Sequence, residues 1–290
     1  MRRLLLVLLL AFATVPAADA AKGKIVVVAA ENFYGDIARQ IGGDQVEVVS
    51  IINSPDQDPH LFETTPGIVR KIADAQVVIY NGADYDPWMD KLLKAAPQAG
   101  KLVINVALVA NRKTGDNPHL WYDPKIMIVA ARSLNASLAK IDRAHSRDYD
   151  ARLAAFEASL KPIDDRIAAI RAKHAGTPVT ATEPVFGYMA AALGLTMRNE
   201  RFQLAVMNDT EPSARDVAAF EQDLKKRQVR VMFYNKQAAS KIVQHLVELA
   251  RAAKVPVVGV SETAPPGLSF QDWMLMQLNE TEKALAGPNS

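Results

Sequence analysis

Short apolar runs rich in Val and Ile recur along the chain at 24–29, 46–52, 76–80 and 102–106, and again at 178–182, 229–234 and 255–260. Each has the length of a strand, and a stretch with helix-compatible spacing of apolar positions follows most of them. Such alternation predicts parallel sheets built from βαβ units, in two α/β lobes. Between the two groups of runs, residues 144–174 hold one proline, Pro162, and no glycine, and are rich in Ala, Leu, Arg, Glu and Asp. This predicts one long helix of roughly 45 Å, at about 1.5 Å per residue. Pro162 is where it would kink or divide, and Gly176 is a natural stop. A helical connector makes a stiffer joint than a Gly/Ser linker. The expected organisation is a lobe over 21–143, the connecting helix over 144–175 and a second lobe over 176–290.

The first residues follow another plan. Arg2-Arg3, the apolar run 4–13 and Ala18-Asp19-Ala20 predict a signal peptide over 1–20, with the mature chain starting near Ala21. The apolar run is shorter than the roughly 20 residues a membrane span needs, and no later stretch qualifies. The chain has no cysteine, which excludes disulfides, thiolate ligands, a cysteine nucleophile and a lipidated cysteine. The expected location is therefore the periplasm of a Gram-negative cell, without a lipid anchor. A net charge of +2, from 34 basic and 32 acidic residues, gives no field for attracting nucleic acid.

Chemistry concentrates in two Pro-His pairs 59 positions apart, in Asp58-Pro59-His60-Leu61-Phe62-Glu63 and Asn117-Pro118-His119-Leu120-Trp121-Tyr122-Asp123-Pro124. Proline favours extended backbone before it, so both imidazoles are expected on loops, from which they can converge on a metal ion. The bland alternative is a pair of surface-loop histidines. Asp123 suits either the cap of the helix beginning at Pro124 or an outer partner of a ligating histidine, the cap being favoured. His145 and His174 lie near opposite ends of the long helix and His245 inside another, so they are poor candidates. With two credible imidazoles, further donors must be oxygens. Glu183 and Glu262 each follow a predicted strand, at the rim where parallel sheets bind ligands. Their alternative roles are a helix-start charge for Glu183, beside Pro184, and a solvated loop acid for Glu262.

These residues sit in segments that resemble the metal-binding solute receptors of ABC transporters importing zinc, manganese or iron. The resemblance rests on His60 with Thr65-Pro66 and Ile72-Ala73-Asp74-Ala75, on Tyr80-Asn81-Gly82 leading to Pro87-Trp88, and on the segment from Pro118 to Pro124. It continues through Phe186-Gly187-Tyr188, Leu193-Gly194-Leu195 and Glu211-Pro212-Ser213. It implies two α/β lobes joined by a long rigid helix, with the metal in the cleft. The family's first two histidine ligands map onto His60 and His119. The third, histidine in typical zinc receptors and glutamate in many manganese-type ones, maps onto Glu183. The fourth is usually aspartate, and here the nearest match is Glu262. Residues 110–117 are short and lack the histidines that zinc receptors often carry there, and oxygen donors suit harder ions, yet zinc outranks manganese at most N/O sites. The expected ion is manganese or zinc, with iron as a third choice.

The mechanism this implies is capture of a divalent ion by two neutral histidines and two carboxylates, two from each lobe. Affinity would fall as pH drops through the imidazole range. The loaded form, a monomer, would deliver its ion to a membrane permease. The rival reading is a secreted metal-dependent hydrolase in which Glu262 is a base beside an open coordination position. An adhesin or structural surface protein has no anchor or repeat to support it.

Overall fold

The computed structural model describes residues 23–55, 62, 64–238 and 240–287. The leader expected at 1–20 and the His60 position lie outside the described residues. Eight strands among the described residues form two parallel sheets of four. The first contains β1 (Ile25–Glu31), β2 (Val46–Ile52), β3 (Val77–Tyr80) and β4 (Leu102–Asn105), in the order β2-β1-β3-β4. The second contains β5 (Pro178–Ala181), β6 (Thr196–Arg198), β7 (Met232–Asn235) and β8 (Val257–Val260), in the order β6-β5-β7-β8. The two halves therefore repeat one topology without a residue-level repeat. Each expected apolar run overlaps a strand; β6 was not foreseen because its three residues are half-buried or exposed.

Period-two alternation decides what each strand packs against. Val27 and Ala29 of β1 face a central core, whereas Val28 and Ala30 face an outer core on the other side of the sheet. A corresponding outer core covers the second sheet through Phe202, Phe220, Met232 and Leu246. The central core is continuous across both halves, and its aromatic rings form the bridge. Phe33 meets Trp121 at 4.8 Å between centroids, Tyr122 meets Phe186 at 5.3 Å, and Phe186 stacks on Phe233 at 4.6 Å. Each fully buried aromatic of this kind contributes about 1.5–3 kcal/mol. The halves are thus joined by core as well as by chain.

The helical connector runs as Ser146–Ser159 and Lys161–His174, divided at Leu160. Pro162 sits in the first turn of the second segment, where its missing N–H costs nothing, whereas in a continuous helix it would break the ladder. The first segment packs on helices Asn32–Gly42 and Pro124–Ile141, and the second on helix Phe270–Ala286. Gly176, at φ 80°, ends the run in left-handed backbone, as its composition predicted. Among the described residues no helix is long and apolar enough to cross a membrane.

One buried charge system was not foreseen. Glu31, the last residue of β1, is fully buried beside Asp86. Asp86 accepts hydrogen bonds from Asn81 N–H and Gly82 N–H, both at 2.7 Å, and the Tyr34 hydroxyl donates to Asn81 Oδ1 at 2.8 Å. Burial, and then the charge of Asp86, hold the Glu31 carboxyl well above the usual range. Burial also pushes Asp86 up to about 7, against the pull of the two backbone N–H groups. Glu31 accordingly keeps the proton and donates it toward Asp86. An acid whose pKa is raised by folding binds more protons in the folded state, so stability falls as pH rises from the unfolded value, about 4.3 for glutamate, toward the folded one. Glu31→Gln retains a donor and removes this loss. Denaturant melts at pH 5 and pH 8 should show the variant gaining on the parent as pH rises; a gap that does not widen would contradict the shared proton.

Candidate metal centre

The carboxyl ends of the strands point into the space between the sheets, as ligand sites in open parallel sheets require. In the order β6-β5-β7-β8, the direction in which successive strands are added reverses between β5 and β7, and Glu183 and Asn235 stand at the carboxyl ends of these two parallel strands. Glu262 follows β8 by two residues. His119 enters from the other half, after β4, on a loop that closes in a short turn, Leu120–Tyr122.

His119 lies on a loop, as expected, and is nevertheless fully buried. Its ring lies edge-on to Trp121 at 5.3 Å and to Tyr85 at 6.1 Å. Leu120, Trp121 and Tyr122 are apolar or aromatic and bury completely, drawing the preceding histidine in with them. Asn117 Oδ1 lies 2.7 Å from His119 Nδ1 and accepts the His119 backbone N–H at 3.1 Å. An oxygen acceptor at Nδ1 places the ring proton there and leaves the lone pair on Nε2. That nitrogen has no hydrogen-bond partner among the described residues. It faces Glu262 Oε2 at 3.7 Å.

The carboxylates are held from behind. Asn235 Nδ2 donates to Glu262 Oε1 at 2.5 Å and to Glu183 Oε2 at 3.3 Å. The orientation of the Asn235 amide is fixed, because its Oδ1 accepts the backbone N–H of Gln237 at 3.0 Å. Gln237 Oε1 in turn accepts the backbone N–H of Glu262 at 2.6 Å. Burial and the neighbouring charge of Glu262 push the Tyr85 phenol well above its usual range, so it stays protonated as a donor beside that carboxylate. Glu183, Asn235, Gln237 and Glu262 line a cavity of about 660 Å³ that also takes in Glu211 and Lys241.

Cross-half contacts fix the segments carrying these groups. The Tyr122 hydroxyl donates to Ser261 O at 3.0 Å, and Asn32 exchanges two hydrogen bonds with the backbone of Ala264, at 2.7 and 3.0 Å. Glu262 is therefore pinned on both sides to the first half.

Three of the four expected site residues are thus described, and they come together unequally. His119 and Glu262 face each other, and Glu183 joins through Asn235. Among the described residues no three His, Cys, Asp or Glu side chains close into a cage. Donors about 2.1 Å from an ion and at a tetrahedral angle lie roughly 3.4 Å apart, so the 3.7 Å between Nε2 and Oε2 is too long for a hydrogen bond and close to the span of a shared cation. Asp123 caps helix Pro124–Ile141, accepting from Lys125 N–H at 3.0 Å, which is the role favoured for it. His145 pairs with Asp142, and His245 with Glu221, both on the surface and away from this site. The residues that sequence reasoning missed are Asn235, Asn117 and Tyr85. Asn235 carried a usable signal, since it directly follows a predicted strand as Glu183 does.

Residues 27–284 match the family model described as zinc-uptake complex component A, periplasmic. A putative metal-binding protein of Treponema pallidum is 26% identical over 285 residues, covering 90% of this chain and 87% of its own. The manganese-binding lipoprotein MntA of Bacillus subtilis is 26% identical, covering 81% and 78%. The zinc-binding protein AdcA of Streptococcus pyogenes is 24% identical over 83% of this chain, which spans only 52% of AdcA. Among solved structures, the periplasmic zinc-binding protein TroA of Treponema pallidum superposes with a TM-score of 0.77 at 21% identity, covering 91% of this chain and 99% of its own. The matched span takes in both sheets, the helical connector and His119, Glu183 and Glu262, and on that evidence the chain belongs to the zinc-uptake component A family of periplasmic metal-binding receptors.

Proposed function

We propose that the protein is an extracytoplasmic solute receptor that captures a divalent transition metal ion between its two lobes and passes it to an ABC permease. The observation that carries this reading is the pair His119 Nε2 and Glu262 Oε2, 3.7 Å apart, with the imidazole proton committed to Asn117 on the opposite side of the ring. A lone pair aimed at a carboxylate repels it unless a cation lies between. Glu183, tied to the same Asn235 amide, supplies a third donor, and His60 a fourth from the first lobe. Two imidazoles and two carboxylates sum to −2 and neutralise a divalent ion.

Relatives are named for zinc and for manganese binding, and the donor set suits either. Two carboxylates favour harder ions than a histidine-rich set would, while the Irving–Williams order favours zinc. The receptor acts as a monomer in the periplasm and is held there without a lipid anchor, in contrast to the MntA lipoprotein. A hydrolase would need Glu262 to stand off the metal as a base. Its place opposite His119, braced by Asn235, suits a ligand instead.

Metal analysis of protein purified natively from the periplasm tests the reading, with manganese or zinc expected near one equivalent. The selectivity follows from Glu183. Replacing its oxygen by imidazole in Glu183→His should move the preference toward zinc by an order of magnitude or more, since a nitrogen donor favours the softer ion. Competition titration of manganese against zinc reads the ratio, and an unchanged ratio would place Glu183 outside the ligand set.

A further inference from the structure

Asn117 touches both halves of the site at once. Its Oδ1 takes the backbone N–H and Nδ1 of His119, at 3.1 and 2.7 Å. Its Nδ2 donates to Pro184 O at 2.8 Å, one residue beyond Glu183. Its own carbonyl accepts the Tyr188 hydroxyl at 2.8 Å. The amide orientation is unambiguous, because a backbone N–H can only donate and a backbone carbonyl can only accept. Gly187 leaves the room: a Cβ there would lie 2.7 Å from Asn117 Nδ2. Arg112, five residues before Asn117, lies over the Tyr188 ring at 5.3 Å, a further contact across the same seam.

A local role, the turn in which an Asn side chain caps the backbone two residues on, accounts for the bond to His119 N–H. It accounts for neither the ring contact nor the bond to Pro184. We propose that Asn117 is a positioning residue that registers the two lobes of the site: it commits His119 to the tautomer presenting Nε2 and clamps the Pro184–Tyr188 segment so that Glu183 meets that nitrogen. The role rests on the metal-receptor reading, but its structural half is visible without metal. The lobes are latched at this seam before an ion arrives, and little of the binding energy goes into closing them.

Two arms of the residue can be cut separately. Asn117→Ala removes both. Asn117→Asp keeps an acceptor for His119 and loses the donor to Pro184. Tyr188→Phe removes only the hydroxyl from the outer face of the clamp. On metal-free mature protein labelled with ¹⁵N-histidine, at a pH above the imidazole range, two-bond ¹⁵N–¹H spectra report the His119 tautomer, assigned against His119→Ala. The parent, Asn117→Asp and Tyr188→Phe should all show the proton on Nδ1, and Asn117→Ala should move it toward Nε2. Titration with Mn²⁺ and with Zn²⁺ should show a loss of about 10–100-fold for Asn117→Ala, the usual cost of losing an outer partner of a ligand, and a smaller loss for the other two. A Nδ1 proton retained in Asn117→Ala, or parent-like affinity in Asn117→Asp, would overturn the proposal; Asn117→Asp and Tyr188→Phe keep it testable should the alanine variant fail to fold. A parent that binds neither ion while its tautomer still follows Asn117 would instead overturn the receptor reading alone.

Discussion

His119→Ala should abolish measurable metal binding while leaving a folded protein. The loss should exceed the roughly 10–100-fold that removal of an outer partner costs, because the imidazole nitrogen facing Glu262 disappears altogether. The fold should survive for a specific reason. His119 is fully buried, yet its Nε2 has no hydrogen-bond partner among the described residues, and an unsatisfied buried polar atom costs about 1–3 kcal/mol. Removing the ring loses its edge contacts with Trp121 and Tyr85 but also removes that cost. Thermal melts with and without metal separate the two effects. A ligand at about 100 times its Kd stabilises a protein by about 2.7 kcal/mol, so the parent should melt higher when metal is added and the variant should not. A variant that still gains the parent's metal-dependent shift would remove His119 from the site.

The sheets were legible because parallel strands are buried on both faces and read as continuous apolar runs. Ile25–Glu31 and Val77–Tyr80 are such runs, and both were found within a residue or two. The division of the connector at Leu160 was foreseeable from Pro162. What could not be read was the shared core. Nothing local to Phe33, Trp121, Tyr122 or Phe186 tells that these rings meet across two lobes. Glu31 was equally hidden, since an acid ending an apolar strand reads as a strand terminus facing water. Its burial depends on Asp86, 55 residues away, accepting the hydrogen bond of the proton that Glu31 retains.

The site was legible where the rule of strand ends applies. Glu183 and Glu262 follow strands, and the structure sets Glu262 opposite His119 and ties Glu183 to the same Asn235 amide. Asn235 obeys the same rule but is an amide, and a search for charged or imidazole donors passes over it. Asn117 was quoted as part of the segment around His119, yet its partner Pro184 lies 67 residues on, beyond any local pattern. The candidate donors stand out by their chemistry, whereas the groups that orient them are defined by contacts that only the fold creates.

Glu262→Gln should weaken metal binding by at least about 100-fold, since it alters a donor itself and not merely an outer partner, and it discriminates the receptor from the hydrolase. Asn235 Nδ2 donates to Glu262 Oε1 at 2.5 Å. An amide in that position would turn its oxygen to Asn235 and its NH₂ toward His119 Nε2. The geometry then offers a hydrogen bond where the carboxylate offered a cation its second donor, and the site also loses one negative charge. The variant's metal-free fold should be at least as stable as the parent's, because a nearly inaccessible charged carboxylate becomes a neutral group. Calorimetric titration with Mn²⁺ and Zn²⁺, alongside turnover assays on ester and phosphate substrates, decides between the readings. The receptor reading expects weak binding in the variant and no turnover in either protein. Turnover in the parent that vanishes in the variant while metal stays bound would make Glu262 a base and the protein an enzyme.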